Sequence, residues 1–125
     1  MTHAAVMYAK DLQRIVEFYT ALGLKVDESQ PGDYAVLTGP ELELSIVQIP
    51  QDIASKIEIS SPPQARERTP IKLAFIVSSI DETLEATRLL GGRVKDGSKR
   101  WQFRGHGIQD AIDPEGNVYQ LREPL

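Results

Sequence analysis

The chain says the same thing twice, 68 residues apart, and that repeat limits what it can fold into more than any other feature. Asp11 precedes a run in which Leu12, Ile15, Val16, Tyr19 and Leu22 fall on one side of a helix of 3.6 residues per turn. Ser79 precedes Ile80, Leu84, Thr87 and Leu90 in the same arrangement. Subtracting 68 sets Ser79 on Asp11, Ile80 on Leu12, Leu84 on Val16, Thr87 on Tyr19, Leu90 on Leu22, Gly91 on Gly23 and Val94 on Val26. Asp and Ser are N-cap residues whose side-chain oxygens accept from the unpaired amides of a first helical turn. Ser79 with Glu82 adds the spacing of a capping box. Glycine at the far end supplies the left-handed residue that stops a helix. Cap, stripe, stop and following strand coincide at one offset, so the chain is two copies of one unit.

The flanks complete each copy. Residues 4–9 (AAVMYA) form a short apolar strand ahead of a helix over 12–22. Strands follow at 25–28, 34–38 and 41–49, separated by Gln30-Pro31-Gly32-Asp33 and by Gly39-Pro40, both turn sequences. The second copy opens with a strand at 71–77 (IKLAFIV) and its helix ends at Gly91-Gly92. It closes with a strand over 101–110, a tight turn at Asp113-Pro114-Glu115-Gly116, and a strand over 117–122. Between the copies, Pro62-Pro63 marks an extended linker. The prediction is an α+β fold of two βαβββ modules, 4–49 and 71–122, joined by a linker at 50–70 in a single domain, 1–125, with helices outside a strongly curved sheet. A length of 125 residues suits one such domain.

Composition removes several function classes. Fourteen Lys and Arg stand against 18 Asp and Glu, a net charge of −4, which opposes the counterion release that drives nucleic-acid binding. The absence of Cys excludes disulfides, thiolate metal sites and a cysteine nucleophile. No apolar run approaches the ~18 residues of a membrane span, and MTHAAVMYAKD lacks a signal-peptide layout. The expectation is a cytoplasmic protein with neither nucleic acid nor membrane as partner.

Three stretches resemble the vicinal oxygen chelate superfamily, which holds glyoxalases, bleomycin-resistance proteins and extradiol dioxygenases. They are Lys10-Asp11-Leu12 with Glu17-Phe18-Tyr19 and Leu22-Gly23-Leu24, the matching stretch ending Leu89-Leu90-Gly91-Gly92, and Asp113-Pro114-Glu115-Gly116-Asn117-Val118-Tyr119-Gln120-Leu121. The resemblance runs from about residue 4 to 122, and these motifs specify a fold and not an activity. It implies two modules forming a curved mixed sheet around a cleft, in a chain that pairs as a homodimer. In metal-dependent members, it implies four ligands on the first and last strands of each module, holding a divalent ion.

Carried onto this sequence, those four positions are Ala4, Glu43, Lys72 and Gln120. Alanine has no donor atom, an ammonium opposes a cation, and an amide is a poor ligand. His3 lies one residue from the expected place, on the opposite face of the strand unless a bulge intervenes. The expectation is therefore no metal and no other cofactor. Lys72 is expected where the ion would sit, either paired with Glu43 or reaching solvent with it at the cleft rim.

Strand alternation puts Lys72, Ala74 and Ile76 on one face, with Glu43, Ser45 and Val47 and with Val118, Gln120 and Arg122, while Val6 and Tyr8 join them. Arg100-Trp101-Gln102-Phe103-Arg104-Gly105-His106 interleaves aromatics with cations, a pattern that stacks on flat ligands and holds anions. It also fits an edge strand whose rings cover the core. His106 is a candidate base, and Asp110 is the carboxylate offered to orient it. The candidate ligand-binding residues are Tyr8, Glu43, Ser45, Lys72, Trp101, Phe103, His106 and Gln120; none is assigned a catalytic role.

Three readings follow. The first is a metal-independent small-molecule-binding protein of the glyoxalase and bleomycin-resistance type, taking an unidentified, partly apolar ligand in the cleft. The second is an enzyme, a glyoxalase-like lyase or isomerase or a dioxygenase, which needs His3 to enter by a bulge or a metal held by Glu43 with water and substrate. The third is a regulatory or interaction module with a vestigial cleft.

Overall fold

The computed structural model describes residues 3–125, which divide into two compact units, residues up to Ile59 and Ser60–Leu125. The first unit runs β1 (His3–Ala9), α1 (Leu12–Leu22), β2 (Lys25–Gln30), β3 (Tyr34–Gly39), β4 (Leu42–Gln48) and a short α2 (Gln51–Ala54). Its four strands lie in the order β1-β4-β3-β2, with β1 parallel to β4 and the rest antiparallel. Asp11 caps α1 as its side chain predicts, accepting from the Arg14 amide at 3.2 Å. Gly23 ends the helix at φ 130°. The stripe of α1 is buried through Leu12, Ile15, Phe18, Tyr19 and Leu22 and packs on β3 and β4, whose inward residues are Ala35, Leu37, Leu44 and Ile46. Each large side chain so buried contributes about 1.5–3 kcal/mol.

The second unit runs β5 (Ala74–Ile76), α3 (Ile80–Arg88), β6 (Arg93–Val94), β7 (Trp101–Phe103), β8 (His106–Ile112) and β9 (Val118–Pro124). The order is β5-β9-β8-β6, with β7 also paired to β8 and β5 parallel to β9. Ser79 caps α3 by accepting from the Glu82 amide at 3.2 Å. The turn at 113–116 is held by one buried carboxylate: Asp113 Oδ1 accepts from the amides of Glu115 (2.9 Å) and Asn117 (3.0 Å), and Oδ2 from Asn117 Nδ2 (2.8 Å). The Asp113 carboxylate is turn chemistry, as the sequence suggests.

Three expectations change, the first being the strand over 71–77, which is confined to β5, Ala74–Ile76. The single strand over 101–110 is a hairpin, β7 turning into β8 at Arg104 (φ 48°) and Gly105 (φ 77°). Both residues take the positive φ of a two-residue type I′ turn. The linker is not extended throughout, since α2 occupies 51–54. Its later part is tied down within the second unit. The Arg66 amide donates to Gly116 O (2.9 Å), Arg66 Nε to Glu115 O (3.1 Å), and Arg93 Nη2 to Pro63 O (2.6 Å).

Candidate functional site

Register decides which side chains share a face. In the first sheet Ala4 pairs with Glu43, Val6 with Ser45 and Tyr8 with Val47, so Tyr8, Glu43 and Ser45 lie together, opposite the buried Leu44 and Ile46. Tyr8 and Val6 are exposed on that face. The β1–β4 register runs unbroken from His3 to Ala9. No bulge turns His3 toward Glu43, and its backbone partner is Leu42, on the other face.

In the second sheet three cross-strand rows build the site. Ala74, Gln120 and Asp110 form the first, and Ile76, Arg122, Ile108 and Trp101 the second; Pro124, His106 and Phe103 form the third. Their side chains share one face, opposite Phe75, Tyr119 and Leu121, which are buried. Trp101 and Phe103, on the edge strand β7, are each 46% exposed. Their rings lie 5.9 Å apart at 43°. The Arg122 guanidinium stands over the Phe103 ring at 5.8 Å while donating to Gln120 Oε1 from Nε (3.2 Å) and Nη2 (3.1 Å). The cation is thereby held over the half-open Phe103 ring.

Lys72 is on the expected face, but its partner is not Glu43. Its ammonium donates to Asp110 Oδ2 at 2.7 Å, with side chains 41% and 16% exposed. The β8–β9 register brings Asp110 beside Gln120, and the backbone ladder continues past β5 through the Gln120 amide to Leu73 O (2.8 Å). That sets Lys72 at the carboxylate. A half-open pair of this kind contributes at most about 1 kcal/mol. Asp110 Oδ1 is buried and accepts from no group among the described residues.

Asp110 does not orient His106. They stand four positions apart along β8, about 13 Å at the rise of a strand. His106 Nδ1 instead donates to the Arg104 carbonyl of the hairpin turn at 2.9 Å. Asp110 and Arg122 are the residues the sequence reading undervalued. Arg122 was legible from alternation with Gln120, whereas the role of Asp110 depends on a pairing register that no local pattern encodes.

The positions at which related folds hold a divalent ion do not suit one here. Ala4 offers no donor, Lys72 brings a positive charge, and Gln120 Oε1 already accepts from a guanidinium. Among the described residues no three His, Asp or Glu side chains gather to hold a metal. The side chains themselves offer stacking and charge-assisted hydrogen bonding.

No helix among the described residues is long and apolar enough to cross a membrane. No curated protein matches the sequence significantly. Solved structures do match the fold. Fosfomycin resistance protein FosX from Listeria monocytogenes is 19% identical with a TM-score of 0.69, covering 100% of this chain and 91% of that one. A glyoxalase/bleomycin resistance protein/dioxygenase from Alicyclobacillus acidocaldarius is 19% identical with a TM-score of 0.64, covering 100% and 92%. A bleomycin-binding protein complexed with bleomycin is 14% identical with a TM-score of 0.57, covering 100% and 98%. The profile of the glyoxalase-like domain matches residues 4–122, a span that takes in the repeat and both units. The chain belongs to the glyoxalase-like domain family.

Proposed function

We propose that this chain is a metal-independent small-molecule-binding protein, taking a flat, partly apolar ligand on the face of its second sheet. One observation carries the reading. Two half-open aromatic rings and a fixed guanidinium, Trp101, Phe103 and Arg122, share a face with a buried carboxylate oxygen that has no donor, Asp110 Oδ1. The rings and Arg122 accept a π-face, Ile76 adds exposed apolar area, and Asp110 selects a ligand bearing a hydroxyl or amine. A solved structure of similar fold is a bleomycin-binding protein complexed with bleomycin, which supports small-molecule binding as one use of the scaffold.

Trp101 is the single Trp of the chain, so its fluorescence reports on the site alone. Titration with a panel of phenols and aromatic amines should give saturable quenching for some members. Asp110→Asn should weaken those members at least tenfold, and should leave matched compounds lacking the donor unaffected. If no aromatic compound perturbs Trp101, or if donor and donor-free compounds respond alike to Asp110→Asn, the reading fails.

A further inference from the structure

We infer that the hollow between residues 64–69 and the second sheet is an anion subsite built for a phosphoryl group, and that Glu67 occupies the place of that group when none is bound. The hollow measures about 300 Å³ and is lined by Arg66, Glu67, Thr69, Lys72, Lys95 and Val118. Three of those six side chains are cationic and one is acidic. The cations converge from three separate stretches of chain: the tied-down linker, the approach to β5, and the residue after β6. Arg66 is anchored through its amide and Nε to the 115–116 turn. Lys95 is anchored through its amide to Asp110 O at 3.1 Å. The backbone that presents the charges is therefore fixed.

Each cation keeps donor capacity in hand. An ammonium has three N–H groups and a guanidinium five. Lys72 uses one on Asp110 at 2.7 Å and Lys95 one on Glu67 at 3.0 Å, while Arg66 uses its Nε. Glu67 is the weak member. Its side chain is 65% exposed, whereas the Lys95 side chain it contacts is 23% exposed, and a pair with one partner in water is held loosely. A monocarboxylate ligand would exchange like for like with Glu67. A phosphoryl dianion brings more charge and three acceptor oxygens to the three cations, so it wins the exchange. Because Lys72 belongs both to this hollow and to the Asp110 pair, the inference deepens the proposed function: one ligand would set its phosphoryl end here and its ring at Trp101. The anion subsite itself is testable alone.

The test titrates the whole chain with inorganic phosphate at constant ionic strength, following backbone amide resonances, with chloride as control. Saturable shifts at residues 66–72 and 95 are expected with phosphate only. Lys95→Gln should weaken them at least tenfold. Glu67→Gln, an exposed surface change that leaves the fold alone, should tighten binding at least threefold by removing the internal competitor. Equal shifts with chloride, shifts scattered over unrelated lysines, or a Glu67→Gln variant that binds phosphate no better would overturn the inference. Trp101 quenching by aromatic compounds is read in the same samples. If it is absent while phosphate still binds as described, the proposed function falls and the anion subsite stands; if phosphate fails while quenching persists, the reverse holds.

Discussion

The two helices of the repeat solve the same packing problem with different residues. In the first unit α1 carries Tyr19 at the position that α3 fills with Thr87, and both are buried. Tyr19 packs edge-on to Phe18, with ring centroids 5.1 Å apart at 81°. In the second unit the aromatic comes from the strand side: Tyr119 on β9 is buried and meets Phe75 edge-on at 6.0 Å and 74°. Thr87 is small enough to leave that room. Its hydroxyl bonds back to Thr83 O (2.9 Å) and Leu84 O (3.2 Å), satisfying itself within the helix. The repeat therefore keeps a filled volume under each helix, and the element that supplies the ring is free to change. A sequence offset records the helix face and is blind to what the sheet contributes.

Truncating the rings tests this at its largest scale. Tyr19→Ala and Tyr119→Ala should each lose roughly 3–5 kcal/mol in urea unfolding. A Tyr119 cost under half that of Tyr19 would mean that the second unit is not filled from the strand. The turns offer the next contrast. A Cβ on Gly116, at φ +86°, would sit 2.1 Å from the Gln64 carbonyl oxygen, which is backbone. A Cβ on Gly39 would meet only the Leu24 Cδ2 methyl at 2.7 Å, and that side chain can move. Gly116→Ala should therefore cost roughly 2–4 kcal/mol and detach the segment around Arg66, whereas Gly39→Ala should cost only about 1 kcal/mol. Equal losses would remove the distinction between the two turns. Thr87→Tyr comes third. In the native chain it overpacks, losing about 1–3 kcal/mol. In the Tyr119→Ala background the same change restores a ring and should raise stability, and a sign that does not reverse would show that the two positions share no volume.

How much of this was legible before folding depends on the range of the signal. Asp11, Ser79 and Gly23 act within one helical turn, and Asp113 acts within its own turn, so caps, stops and the terminal turn could be read directly. The hairpin at Arg104-Gly105 was not, because arginine is not a residue that announces a positive φ. The face shared by Lys72, Gln120 and Arg122 followed from alternation, which has a period of two and needs no partner, whereas the place of Trp101 and Phe103 on it depends on the β7–β8 register. The partner of Lys72 did not follow. Asp110 lies 38 residues away, and only the pairing of β8 with β9 sets it there. For the same reason the hollow around Arg66 and Lys95 was invisible, since the linker residues that roof it are held by backbone bonds to the 115–116 turn.

The smallest expected effect at neutral pH becomes a clear one in alkali. Burial pushes the Tyr119 hydroxyl well above the ordinary phenol range, the nearby Asp113 charge pushes it further, and a hydrogen bond with Thr87 offsets only part of this. In the unfolded chain the same phenol releases its proton near pH 10. Below that value Tyr119 is neutral in both states and its contribution to stability is complete. As pH rises through 10, the unfolded chain gains by ionising while the folded one does not, so stability falls. Tyr119→Phe keeps the ring and removes the proton, and should cost about 1 kcal/mol or less at pH 7. Its urea midpoint should then decline less steeply than that of the native chain between pH 9 and 11. Parallel alkaline slopes for Tyr119→Phe and the native chain would place the burial cost elsewhere and leave the strand-side ring without its electrostatic signature.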